Sequence, residues 1–231
     1  MFESFEISTL RIMFSLIMLA VASVVDMKNR EVPDILWIVF GAVAVVMIFF
    51  EDDMIESLML IGFSMIIVPF VLLFWRFGFF GGADALSLIV LAGLAPLATL
   101  DTNVVTPFTT FSNAALFMIL FVLINLTRNV FAILNHEDIF YGFKESKSRK
   151  IIAMFFGFRS KNPKFSFPIE RMEGNHKKFD FSFHNADTEP FSSSPNTWVT
   201  PGMPLILFIT AAFVIQLFFG DLILRIFGFS N

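Results

Sequence analysis

The chain has 231 residues, of which 56% are apolar and 16% charged, with 34 phenylalanines and a mean hydropathy of +0.77. A soluble core of this length needs far less apolar surface, so the composition implies lipid as the main solvent. A net charge of -4 excludes the basic footprint of a nucleic-acid binder, and zero cysteines exclude disulfides, thiol nucleophiles and Cys-ligated zinc.

In chain order, the apolar segments 7–25, 34–50, 55–75, 85–100, 111–134 and 203–227 are long enough to cross or nearly cross a bilayer, which takes about 20 residues. The first is long for a signal-peptide core and has no clear small-residue cleavage site behind it, so it reads as a span. The second and fourth are short, and borrow Trp37 or loop residues or sit in thinned bilayer. The expected fold is an all-α membrane protein with six transmembrane helices and a small cytoplasmic β-containing insert between helices five and six. Residues 1–136 then carry helices one to five, 137–200 form the insert, and 201–231 hold helix six.

Basic residues in short loops mark the cytoplasmic side. Lys28, Arg30 and Arg76 follow spans one and three, and Lys144, Lys147, Arg149 and Lys150 follow span five. The other side shows Glu3, Glu6, Glu51, Asp52, Asp53, Glu56 and Asp101, with Arg11 and Arg225 as its basic residues, both inside apolar segments. Both termini are expected outside the cell membrane.

Within the insert, Phe165, Phe167 and Ile169, then Phe179, Phe181 and Phe183, alternate with polar residues at strand period, and Gly174-Asn175 between them suits a turn. Segment 147–158 sets a basic start against Ile151, Ile152, Met154, Phe155 and Phe156, the pattern of a membrane-surface anchor. Thr200-Pro201-Gly202-Met203-Pro204 breaks the chain before the last span.

Carboxylates at a bilayer edge are costly and invite a functional explanation. Asp26 ends span one and Asp84 opens span four. Because the chain crosses out and back between them, parity assigns both to the cytoplasmic face. Asp101 and the acids of 51–53 fall on the other face, across roughly 30 Å of hydrocarbon. Glu31 and Asp34 are the local competitors. Two aspartates that meet can share one proton, which makes one a base toward water and the other an acid toward a peptide carbonyl, with no metal or cofactor. Gly78, Gly81 and Gly82 form a close-packing approach to Asp84. Taken singly, each aspartate also has a plainer reading, Asp84 as a helix cap and Asp26 as the end of a span in a charged loop.

An Asp closing the first span, followed by a basic loop and Val32-Pro33-Asp34, resembles the first motif of type IV prepilin and archaeal preflagellin peptidases. Their second motif, Gly-x-Gly-Asp, is met here by Gly81-Gly82-Ala83-Asp84, with Ala83 in place of the second glycine. The resemblance implies a membrane-embedded aspartyl endopeptidase with Asp26 and Asp84 as catalytic residues and Gly81, Gly82 and Ala83 as their loop. It implies as substrate a preflagellin or pilin-like precursor whose short basic leader is cut just before an apolar helix. Glu31 and Asp34 then suit contacts with the leader's Lys or Arg. The methyltransferase activity of the bacterial bifunctional enzymes is not carried over, because their cysteine-bearing cytoplasmic region is absent from this sequence.

Other groups have plainer uses. His136-Glu137-Asp138, His176 and His184 lack the His-Glu-x-x-His spacing of a zinc protease. Asn125, Thr127, Arg128 and Asn129 suit hydrogen bonding across helices or lining of the site, and Asp221 and Arg225, four apart, suit an ion pair. The alternative function is a small proton- or cation-coupled carrier using the same aspartates, and a third is a membrane subunit that docks partners through 137–200. The edge position of the acids and the lack of an inverted repeat weigh against the carrier.

Overall fold

With no water to satisfy peptide groups inside a bilayer, an apolar run must close its hydrogen bonds within itself, and here the runs do so as helices. The computed structural model describes residues 2–97, 105–174, 176–181, 190–202 and 204–228, with side chains from residue 7 onward. Asp101, Asn175, Phe183, His184 and Met203, and the side chains of Glu3 and Glu6, lie outside that description. The chain is mostly helical, with a small sheet-bearing part, and forms two units, Met1–Phe117 with Pro204–Asn231 and Met118–Met203.

The first unit contains α1 (Phe2–Asn29), α2 (Asp34–Ile48), α3 (Met54–Ser64), α4 (Ile67–Arg76), α5 (Gly82–Leu94), the start of α6 (Thr106–Leu134), α8 (Leu205–Phe219) and α9 (Leu222–Ile226). By length and composition Ile7–Asn29, Met54–Arg76 and Thr106–Leu134 are able to cross a membrane, while α2, α5 and α8 are apolar but only 15, 13 and 15 residues long. The step between α3 and α4 has a local cause in Pro69, which lacks an N–H and so cannot continue the hydrogen-bond ladder.

α5 is the packing centre, with α1, α2 and α4 against it and Ala85, Ser87, Leu88, Leu91, Ala92, Gly93 and Leu94 buried. Its small residues let neighbours approach, as lipid-embedded helices require. A Cβ on Gly93 would stand 3.2 Å from Met65 Cε and 3.6 Å from the Ala44 methyl.

The last apolar run does not form the single span expected over 203–227. Gly220, at φ 64°, stops α8, and Asp221 starts α9 by accepting a hydrogen bond from Leu224 N at 3.0 Å. Asp221 also accepts from Ser112 Oγ at 2.9 Å, and the Arg225 guanidinium stands 5.7 Å from the Phe219 ring centre. The expected Asp221–Arg225 ion pair is therefore replaced by a helix cap and a cation–π contact, because the Gly220 break puts Asp221 at a helix start.

The second unit holds the rest of α6, α7 (Lys147–Phe156), and strands β1 (Phe158–Ser160), β2 (Ser166–Pro168), β3 (Glu170–Glu173), β4 (His176–Phe179) and β5 (Thr197–Pro201). β1, β5 and β2 form an antiparallel sheet in that order, and β3 pairs with β4 in register Glu170↔Phe179 to Glu173↔His176. The hairpin is thus shorter than the alternation of Phe165–Ile169 with Phe179–Phe183 suggests. Pro168 has no N–H to donate, and Ile169 separates β2 from β3. Trp198, Phe179, Phe143, Ile139, Ile169, Ala153 and Met154 make the core. Phe143 stacks on Phe179 at 4.2 Å, and Trp198 Nε1 donates to Ile139 O at 2.7 Å. Asn129 Nδ2 donates to Met154 O at 2.9 Å and Gly157 O at 2.7 Å, and Asn125 Nδ2 to Phe155 O at 3.4 Å, so both amides cap the end of α7.

Candidate active site

Asp26 stands in the last turn of α1, half-buried. The helix ends when Arg30 adopts φ 58°, with Arg30 N still bonded to Asp26 O at 2.8 Å. This left-handed residue turns the chain into Glu31, Val32 and Pro33, and Pro33 precedes α2 in an extended conformation (φ -61°, ψ 137°). One turn before Asp26, Ser23 Oγ meets Thr210 Oγ1 of α8 at 2.7 Å, and Thr210 Oγ1 also donates toward Leu19 O at 3.2 Å. The carboxylate is thereby carried on a helix end tied to α8, a contact the sequence signals only as a lone Ser among apolar residues.

Asp84 is the third residue of α5 and half-buried. Its Oδ2 accepts from Gly81 N at 3.0 Å, while Ser87 Oγ donates to Asp84 O at 2.7 Å. The approach to it is braced by aromatic rings. Phe74 contacts Phe79 at 5.6 Å, Phe80 at 6.1 Å and Phe111 at 5.9 Å, and Gly78 turns at φ 75°. A Cβ on Gly82 would lie 3.2 Å from the Trp75 indole, so this glycine permits a close approach. Ala83 lies within the regular first turn of α5, where an alanine is well suited and a second glycine is not needed.

Arg11 ties the two helices together. It is buried, and its Nη1 donates to Gly93 O at 3.2 Å and Leu94 O at 3.0 Å, the carbonyls ending α5, while its Nε pairs with Glu51 at 2.6 Å. The start of α1 therefore packs on the end of α5. From that anchor Asp26 lies 15 residues, about 22 Å, along α1, and Asp84 lies nine residues, about 14 Å, back along α5. Each carboxylate thus lies well away from the Arg11 anchor along its own helix. Glu31 and Asp34, in the loop and first turn beyond Asp26, are exposed.

Comparison with known proteins matches residues 13–126, the segment that includes both aspartates, to the type IV leader peptidase family. The preflagellin peptidase of Methanococcus maripaludis is 31% identical over 224 residues, 89% of this chain and 93% of that protein. The preflagellin peptidase of Methanocaldococcus jannaschii is 26% identical over 230 residues, 90% of this chain and 93% of that protein. The chain belongs to the type IV leader peptidase family and is a peptidase, and three of its helical segments are long and apolar enough to cross a membrane.

Proposed function

We propose that the protein is an aspartyl endopeptidase that removes the basic leader of preflagellin or pilin-like precursors at the cytoplasmic membrane face, with Asp26 and Asp84 as its catalytic pair. The Arg11 contact that ties the start of α1 to the end of α5, away from Asp26 and Asp84 along each helix, is the observation that supports this reading. Six crossings are retained, with α2, α5 and α8 as the short ones, and the basic loops assign the site to the cytoplasm.

The ionised aspartate takes a proton from a water, whose oxygen attacks the scissile carbonyl carbon. The protonated aspartate donates a hydrogen bond to that carbonyl oxygen, and collapse of the tetrahedral intermediate breaks the C–N bond as the leaving amine takes up a proton. Gly81 N–H, donating to Asp84 Oδ2, helps to orient that carboxylate. The substrate's apolar helix lies in lipid beside the spans, and its basic leader meets the exposed Glu31 and Asp34 at the membrane edge.

Membranes carrying wild type, Asp26→Asn or Asp84→Asn, incubated with a preflagellin, test the reading through leader release. Each variant is expected to lose about 10³-fold in rate. Normal cleavage by either one overturns the pair, and proton uptake into liposomes without any cleavage would favour a carrier.

A further inference from the structure

The second unit contains a cleft of about 540 Å³ between the last turns of α6 and the β1 strand with its following loop. Arg128, Arg159 and Lys161 line it together with Ser160, Asn162 and one acid, Glu137. Three cations against one carboxylate leave the lining net positive. Two of the cations are held in place: the Arg128 guanidinium lies 3.6 Å over the Phe158 ring, and Arg159 Nη1 donates to Asp138 O at 2.9 Å. A guanidinium so fixed still has donors to present to a planar or tetrahedral anion.

The cleft's level follows from α6 itself. Its 29 residues are about 43 Å long, against a hydrocarbon core of about 30 Å, so as a membrane span it is long enough for this end to reach the phosphates. Apolar side chains nonetheless stay exposed to that end at Val130, Phe131, Ile133 and Leu134, and Phe131 also lines the cleft. A ligand in this place has an acyl chain's company on one side and cations on the other. α7 offers a separate sign of the same surface, with Ile151, Ile152 and Phe156 exposed on a helix that begins Lys147-Ser148-Arg149-Lys150.

We propose that this cleft binds the phosphate headgroup of an anionic membrane lipid. The volume suits a glycerophosphate headgroup, and the net positive lining favours an anionic headgroup over a zwitterionic one. A basic leader peptide is repelled there, so the cleft does a different task from the aspartates. Bound lipid would tie the end of α6 and the sheet to the bilayer.

The test uses the purified full chain in detergent, titrated with phosphatidylglycerol, phosphatidylcholine or glycerol 1-phosphate, with bound lipid counted by native mass spectrometry. Phosphatidylglycerol is expected to be retained in preference to phosphatidylcholine, and Lys161→Gln or Arg128→Gln to weaken it about fivefold each. Lys161→Arg should keep it, and unchanged circular dichroism shows that the variants fold. Equal retention of the two lipids, or unchanged retention in folded Lys161→Gln and Arg128→Gln, overturns the site. Displacement of phosphatidylglycerol by an equal concentration of glycerol 1-phosphate assigns the cleft to a soluble phosphate and overturns the lipid.

Discussion

Around α1, α5, α6 and α8 buried polar groups, a guanidinium, hydroxyls and amides, reach between the packed apolar side chains, whereas residues 118–203 close on aromatic rings. Arg11 with Glu51, Ser23 with Thr210, Thr110 with Gln216 at 2.6 Å, and Asn113 with Gly220 O at 3.0 Å hold the helices of the first unit. Trp198, Phe179, Phe143 and Phe140 hold the second, with Phe140 stacked on Trp198 at 5.3 Å. On the proposed topology, with residues 137–200 in water, the solvent explains the contrast. Hydrocarbon offers no hydrophobic gain on helix association, so small side chains and interhelical hydrogen bonds supply the specificity, while in water burial of large aromatic surface does.

The largest break of this comparison is Trp198→Ala, which removes a fully buried ring and its bond to Ile139 O and is expected to cost about 3–5 kcal/mol. Limited proteolysis should then cut within residues 118–203 while leaving the remaining helices intact. Cleavage spread evenly over both units would contradict separate cores. Arg11→Met comes next, at about 3 kcal/mol, because it strands Glu51 and uncovers the end of α5. Tryptophan-monitored unfolding in detergent would detect it, and an unshifted transition would mean the clamp carries no stability. Ser23→Ala should cost only about 0.6 kcal/mol in the same measurement, since Thr210 keeps its bond to Ile206 O at 2.8 Å.

The smallest effect concerns Glu173, whose carboxyl is held below its ordinary value of 4.5 chiefly by the hydrogen bond and charge of Lys178, 2.7 Å away. A depressed carboxylate stabilises the fold above its unfolded pKa and loses that contribution as pH falls through the folded value. The pair is exposed and screened, so Glu173→Gln should lower the unfolding midpoint only slightly at pH 7, a difference that vanishes in acid. A marked loss at pH 7 would show a tighter pair than its exposure allows.

Much of the first unit was legible because its apolar runs end where charges begin: Asp26 falls in the last turn of α1 and Asp84 in the first turn of α5. What escaped the sequence reading depends on partners far away in the chain. Arg11 looks like a stray cation until Gly93 and Leu94 carbonyls surround it, 82 and 83 residues on. The break at Gly220 was hidden inside an apolar run, and the β3–β4 hairpin was displaced because alternation marks faces without marking which peptide groups pair. The second unit begins at Met118 inside α6, where no change in composition announces a boundary.

The central claim is that Asp26 and Asp84 act as one unit, and a double-mutant comparison of leader release tests it most directly. If they share one task, Asp26→Asn, Asp84→Asn and the double variant should fall to the same residual rate, because removing either partner already disables the pair. Losses that multiply in the double variant, or a single variant that still cleaves at more than about a tenth of the wild-type rate, would contradict it.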